Sequence, residues 1–213
     1  MDGVAEATVA AIRKKIPGLE QAQLGREYSY HSLPLCVIDA VFSIGVRYRN
    51  AQKAVESWCA AQQPNWAIYR SDAKRRQTTG DLIRAADGED GTALTQRFFG
   101  GNRQRTSTRN GILKADATLR FAKALQQGEI EDFNDIRNSA RADLAWQAVR
   151  AIPGQGSGLS FKYLLMLAGD DSSVKPDRML CRFVAEASGR SMVSRELLIS
   201  LSPSQVYDTP PNV

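Results

Sequence analysis

Cysteine is scarce and scattered in this chain. Its three cysteines (Cys36, Cys59 and Cys181) form no CxxC pair. That spacing argues against a disulfide framework, a zinc site or an iron–sulfur cluster, and it favours a reduced cytoplasm. Histidine is scarcer still, with His31 alone. No apolar run approaches the roughly 18 residues needed to cross a bilayer, so a transmembrane protein is not expected. The opening MDGVAEATVAAIRKKIPG carries acids before its apolar stretch and bases after it, the reverse of a secretory signal. Strict alternation over strand length is missing, and so are repeats and low-complexity linkers. With 43% apolar and 24% charged residues, disorder, collagen and coiled coil are excluded on composition.

What is present is arginine. The 28 basic residues comprise 20 Arg and 8 Lys, and the formal net charge is +5. Arginine is the residue of bidentate phosphate contacts, but the distribution says more than the sum. The segment RFFGGNRQRTSTRNGILK, from Arg97 to Lys114, holds five bases and no acid among small polar residues. Such a loop presents cations and hydrogen-bond donors, as a phosphate-contacting surface does. A merely solvated basic loop has the same composition.

The periodicity predicts an all-α domain. Helices are expected over 4–16, from Leu33 to about 61 with an interruption near Gly45, and over 81–87 and 91–99. Further helices are expected over 112–127, 129–138, 139–152, 160–169, 178–189 and 191–202. Ser32 is a fitting N-cap for the second, with Pro34 in its first turn. Scaling gives a chain of 213 residues the means to bury roughly 70% of its unfolded surface, enough for a substantial core.

The most informative join lies near residue 154. One helix runs into Ile152-Pro153-Gly154-Gln155-Gly156-Ser157-Gly158, and the next starts at once. A Gly-rich hairpin of this kind exposes backbone N–H groups at a helix N-terminus, where an anion is favoured. Packing turns also use Pro and Gly. Further on comes Val174-Lys175-Pro176-Asp177-Arg178-Met179-Leu180-Cys181-Arg182-Phe183. Over residues 30–190 this order resembles the helix-hairpin-helix DNA glycosylases. In them an L-P-G-[IV]-G hairpin precedes V-D-T-H-V-x-R, whose Asp is catalytic. Residues 152–156 match the hairpin, and Asp177 stands five before Arg182, as in the family. LPLCVIDAVFSIGVRYRNAQKAVE (33–56) resembles the family's opening helix pair, whose junction faces DNA. NGILKADATLRFAKAL (110–125) resembles its helix with KA near the start.

The resemblance implies a fold of two helical lobes with a cleft between them. Residues 33–150 would form a central lobe, with the helix-hairpin-helix at 139–169, and 1–32 plus 170–213 would form the second lobe of a single 1–213 unit. It implies a monofunctional glycosylase that releases a damaged or modified base and leaves an abasic site, in repair or in restriction of foreign (phage) DNA. The alternative is a non-catalytic DNA-binding module. Double-stranded DNA is the implied partner, with neither membrane nor protein partner, and with no cofactor and no metal. The compartment would be cytoplasmic, nucleoid-associated if bacterial. Asp177 would be catalytic, and an N-cap role at residue 178 suits it equally. Gly154, Gln155, Gly156, Gly158, Arg97, Arg103, Arg105 and Arg109 would meet DNA phosphates. Tyr28, Tyr30, His31, Trp146 and Tyr163 would line a base pocket, unless they pack as core, with Trp58, Trp66 and Tyr69 next. Arg47 and Tyr48 would fill the space a flipped base leaves. Bifunctional members carry a Lys where Gly158 stands, and some carry a four-Cys cluster that is absent here. The Thr-His after the catalytic Asp is Arg178-Met179 in this chain, and the residue before it is Pro176. The family's intercalating Gln aligns with Gly45. Lys162, one turn into the next helix, is either a displaced Schiff-base lysine or a solvated one.

Overall fold

The computed structural model describes residues 2–18, 21, 29–70, 74–169, 178–187, 189, 191 and 193. These residues form nine α-helices and no strand, so the protein is all-α over what is described. The helices are α1 (Asp2–Lys15), α2 (Leu33–Phe42), α3 (Tyr48–Ala60), α4 (Thr79–Ala85), α5 (Gly91–Phe98), α6 (Lys114–Gln127), α7 (Ser139–Arg150), α8 (Leu159–Leu167) and α9 (Arg178–Ala187). None of them is long and apolar enough to cross a membrane.

The chain divides into two compact units. One comprises residues 1–24 and 171–213, the other residues 25–170. In the first, α1 packs against α9, with Ile12 against Val184, Ala185 and Val193. A Lys15–Glu186 ion pair joins the same two helices at the surface. Most of the buried apolar side chains belong to the second unit. There α2 packs against α3, α6 and α8, while α6 also meets α4, α5 and α7. Every residue of α2 is buried, as the near-continuous apolar run LPLCVIDAVF requires. On α3 the buried set is Ala51, Ala54, Val55, Trp58 and Cys59, one stripe at helical spacing.

The helix starts follow local capping. Thr78 and Asp81 form a reciprocal capping box before α4, Asp90 accepts from Thr92 and Ala93 N–H at α5, and Asn138 accepts from Arg141 N–H at α7. Ser32 does occupy the N-cap position of α2, but its hydroxyl makes no capping bond.

Two expectations need correction. Residues 129–138 form no α-helix, only a 3-10 turn at Asp135–Arg137. Asp132 accepts from the N–H of Asn134 and Asp135, and Asp135 from those of Glu131 and Asp132, so side chains take donors that a helix would need. Glu129 also stands at φ +54, outside helical space. The helix expected from 112 starts at Lys114, because Leu113 bridges to Arg105 in extended backbone. The helix expected over 191–202 lies almost wholly outside the described residues, as do Tyr28 and Asp177.

Candidate nucleic-acid interface

The loop between α5 and α6 is a short, locked ribbon. Thr106 N–H donates to Ile112 C=O (2.9 Å), Lys114 N–H to Gln104 C=O (2.8 Å), and Arg105 Nε to Gly111 C=O (2.8 Å). These bonds fold the basic segment back on itself and leave Arg103, Arg105 and Arg109 exposed. The guanidinium groups of Arg103 and Arg109 pair with no described residue.

The ribbon is seated on the α7–α8 hairpin. Thr106 Oγ1 donates to Pro153 C=O at 2.7 Å and accepts from Ile112 N–H at 3.2 Å. This closeness requires glycine at 154. Its φ is +84, and a Cβ there would lie 2.5 Å from Thr106 Oγ1. Two segments read separately in the sequence, the basic loop and the glycine hairpin, therefore share one surface.

Within the hairpin the residues divide by exposure. Gly154, Gly156 and Ser157 are exposed, and the N–H groups of Gly156 and Ser157 donate to no described residue. Gln155 is only 3% exposed. Its N–H bonds Ile152 C=O, its C=O takes the Gly158 N–H, and its side chain accepts from Ser160 Oγ. Gly158, the left-handed N-cap of α8 at φ +74, lies beneath the Trp146 ring, where a Cβ would come within 2.6 Å. Gln155 and Gly158 are the two nominated phosphate contacts of the hairpin that the fold encloses. They are buried and committed to closing the turn. Trp146 itself is half-buried, packed on Phe161 with Arg150 over its face.

Arg97 differs from the other arginines. Its guanidinium pairs with Glu89 at 2.6 Å and lies over the Phe98 ring. It is already neutralised, which weakens its claim on phosphate.

The aromatic residues nominated for a pocket are mostly core. Tyr30 and Tyr163 are buried and both donate to Asp39 Oδ2, at 3.0 and 3.4 Å. Burial, and then the Asp39 charge, pushes both phenols far above their ordinary range, so they remain O–H donors. Tyr48, half-buried at the start of α3, is near enough to act electrostatically on both. His31 is buried too, with Nε2 3.1 Å from Arg75 C=O. Tyr30, His31 and Tyr163 are therefore buried against partners, the core packing that the sequence reading held open for them. Trp58 sits among Phe98, Phe99 and Trp66 in the same core, and Tyr69 stacks on Tyr30. Arg47, by contrast, is exposed at the N-cap of α3.

Asp39 and Thr106 were missed by the sequence reading. The signal for Asp39 was there, as the one charge inside an otherwise apolar helix. Thr106 gave none, since its partner lies 47 residues on. No group of three or more His, Cys, Asp or Glu placed to hold a metal ion occurs among the described residues.

No curated protein matches the chain, and no solved structure does. The model of one family, described as Domain of unknown function (DUF8548), matches residues 6–202. That match takes in the ribbon, the hairpin and Asp177 together, and the chain belongs to this family.

Proposed function

We propose that the protein is a monofunctional DNA glycosylase of the helix-hairpin-helix kind, acting on duplex DNA with a damaged or modified base. The observation that carries this reading is the bond from Thr106 Oγ1 to Pro153 C=O. It ties the ribbon that carries the unpaired Arg103 and Arg109 to the hairpin whose Gly156 and Ser157 N–H groups are uncommitted, just ahead of α8. Dipole, N–H donors and guanidinium groups together suit a phosphodiester. Contacts of this type position a duplex without reading its sequence.

The chemistry falls to Asp177. As the C1′–N bond lengthens, the bonding pair leaves with the base and the sugar becomes an oxocarbenium-like cation. A carboxylate stabilises that charge and takes a proton from the water whose oxygen bonds to C1′. Gly158 offers no amine where bifunctional members have one. The proposed product is therefore an unbroken abasic strand, in repair or in restriction of modified foreign DNA.

The test is incubation with a panel of lesion-bearing and naturally modified duplexes, with mass spectrometry for freed bases and an assay for abasic sites. Base release by wild type is expected. Asp177→Asn keeps the side-chain size but loses the charge, so release should fall at least about a hundredfold with duplex affinity retained. Salt-dependent binding without release of any base would instead favour the non-catalytic module.

A further inference from the structure

Lys114 is 2% exposed, yet it carries an ammonium group. A buried cation is costly unless its donors are satisfied. Here Nζ donates to Phe42 C=O at 2.8 Å and to Ile44 C=O at 2.7 Å. Phe42 is the last residue of α2, where the helix dipole favours a positive charge, and Ile44 lies just beyond it in the turn. The ammonium therefore fixes the backbone of the α2–α3 turn, residues 43–47. The turn itself is exposed at Gly45 and Arg47. Gly45 stands at φ +73, and a Cβ there would meet nothing within 4 Å. Ser43, at the start of the turn, is tied back to α2 through its N–H to Asp39 C=O and its hydroxyl to Ala40 C=O, and Lys114 holds the turn from the other side.

The main chain of the same residue belongs to the basic ribbon, through the bond from Lys114 N–H to Gln104 C=O. Two residues along from Gln104, Thr106 holds the hairpin. A continuous path thus runs from Pro153 through Thr106, Gln104 and Lys114 to Phe42 and Ile44. It joins the surface suited to phosphates with a turn that presents a cation and an unobstructed glycine.

We infer that Lys114 is a positioning residue, which couples the phosphate-gripping ribbon to the α2–α3 turn so that the turn enters the stack when a base is extruded. The inference rests on the glycosylase reading above. Extrusion leaves a gap that protein must fill, and a turn free to shift fills it poorly. Lys114 touches neither the base nor the sugar in this scheme. Its effect is on extrusion rather than on affinity for undamaged duplex, which the ribbon and hairpin would still bind.

The experiment compares wild type, Lys114→Met and Gly45→Ala. Met keeps the length of the side chain and deletes both carbonyl bonds. Ala at 45 strains the turn while leaving the core untouched, so it covers the case in which Lys114→Met does not fold. Two quantities are read: affinity for undamaged duplex, and the fluorescence rise of 2-aminopurine placed in a mismatch of the same duplex. Both variants should keep affinity within about threefold and lose the fluorescence rise by about tenfold or more, since only the step after encounter is affected. In protein without DNA, hydrogen exchange of the 43–47 amides should quicken in Lys114→Met, with the 152–158 amides unchanged. Unaltered fluorescence in both variants, or affinity and fluorescence falling in parallel, overturns the inference while leaving the function standing. A wild-type protein that neither binds duplex nor raises the fluorescence overturns the function and the inference with it.

Discussion

Two glycines of the hairpin, two positions apart, are expected to answer the same substitution in opposite ways. Gly158 is left-handed, and an added methyl would lie 2.6 Å from Cη2 of Trp146. Gly158→Ala combines backbone strain with overpacking, at a cost of about 2 kcal/mol or more. Thermal unfolding should show it as a clear drop in Tm. Gly156 has no left-handed φ, and the nearest atom to its Cβ would be 3.7 Å away. Gly156→Ala should change stability by less than about 0.5 kcal/mol. Its effect should fall on duplex binding, because a methyl then stands between phosphate and the N–H groups of Gly156 and Ser157. A drop in Tm at 156, or none at 158, would reverse the division of roles within the loop. In the sequence both residues read as phosphate ligands. A pattern of glycines shows that backbone must approach something closely, but not whether that something is a phosphate or, as at 158, an indole ring.

At the scale of elements, helices were legible wherever one buried face repeats at helical spacing, as on α3 and α6, because burial of that stripe decides the fold. Residues 129–138 had suitable composition, but Asp132 and Asp135 spend their carboxylates on neighbouring N–H groups. Local hydrogen bonding overruled helix propensity there. The seating of ribbon on hairpin was not legible, since it depends on one hydroxyl and one carbonyl far apart in sequence. That seat makes its own prediction. Thr106→Val preserves the shape beneath Gly154 and removes both the donor to Pro153 and the acceptor for Ile112 N–H. The fold should lose about 1 kcal/mol. Duplex affinity should fall about threefold to tenfold for all sequences alike, as phosphate contacts carry no base information. Thr106→Ser should restore most of it. Fluorescence anisotropy with several unrelated duplexes checks this, and a loss confined to one sequence would mean that Thr106 reads bases.

For the molecule as a whole, net charge is a poor guide to its partner, because +5 is shared by many proteins that bind no nucleic acid. What distinguishes this surface is which cations are already paired. Arg97 is held by Glu89, and Arg84 and Arg75 by Asp81, so their fields are largely cancelled at short range. Arg103 and Arg109 have no such partner among the described residues. A cation that meets phosphate releases a counterion, and each one steepens the fall of log affinity with log salt by about 0.9 for duplex DNA. Arg103→Gln and Arg109→Gln should each flatten that slope by about 1 and weaken binding at low salt. Arg97→Gln should leave the slope nearly unchanged, although it removes the same formal charge. Three variants of identical net charge would then bind differently, which a model based on total charge does not allow. Equal slopes for all three would mean that the protein meets DNA through its overall field, and that the ribbon has no privileged place in the interface.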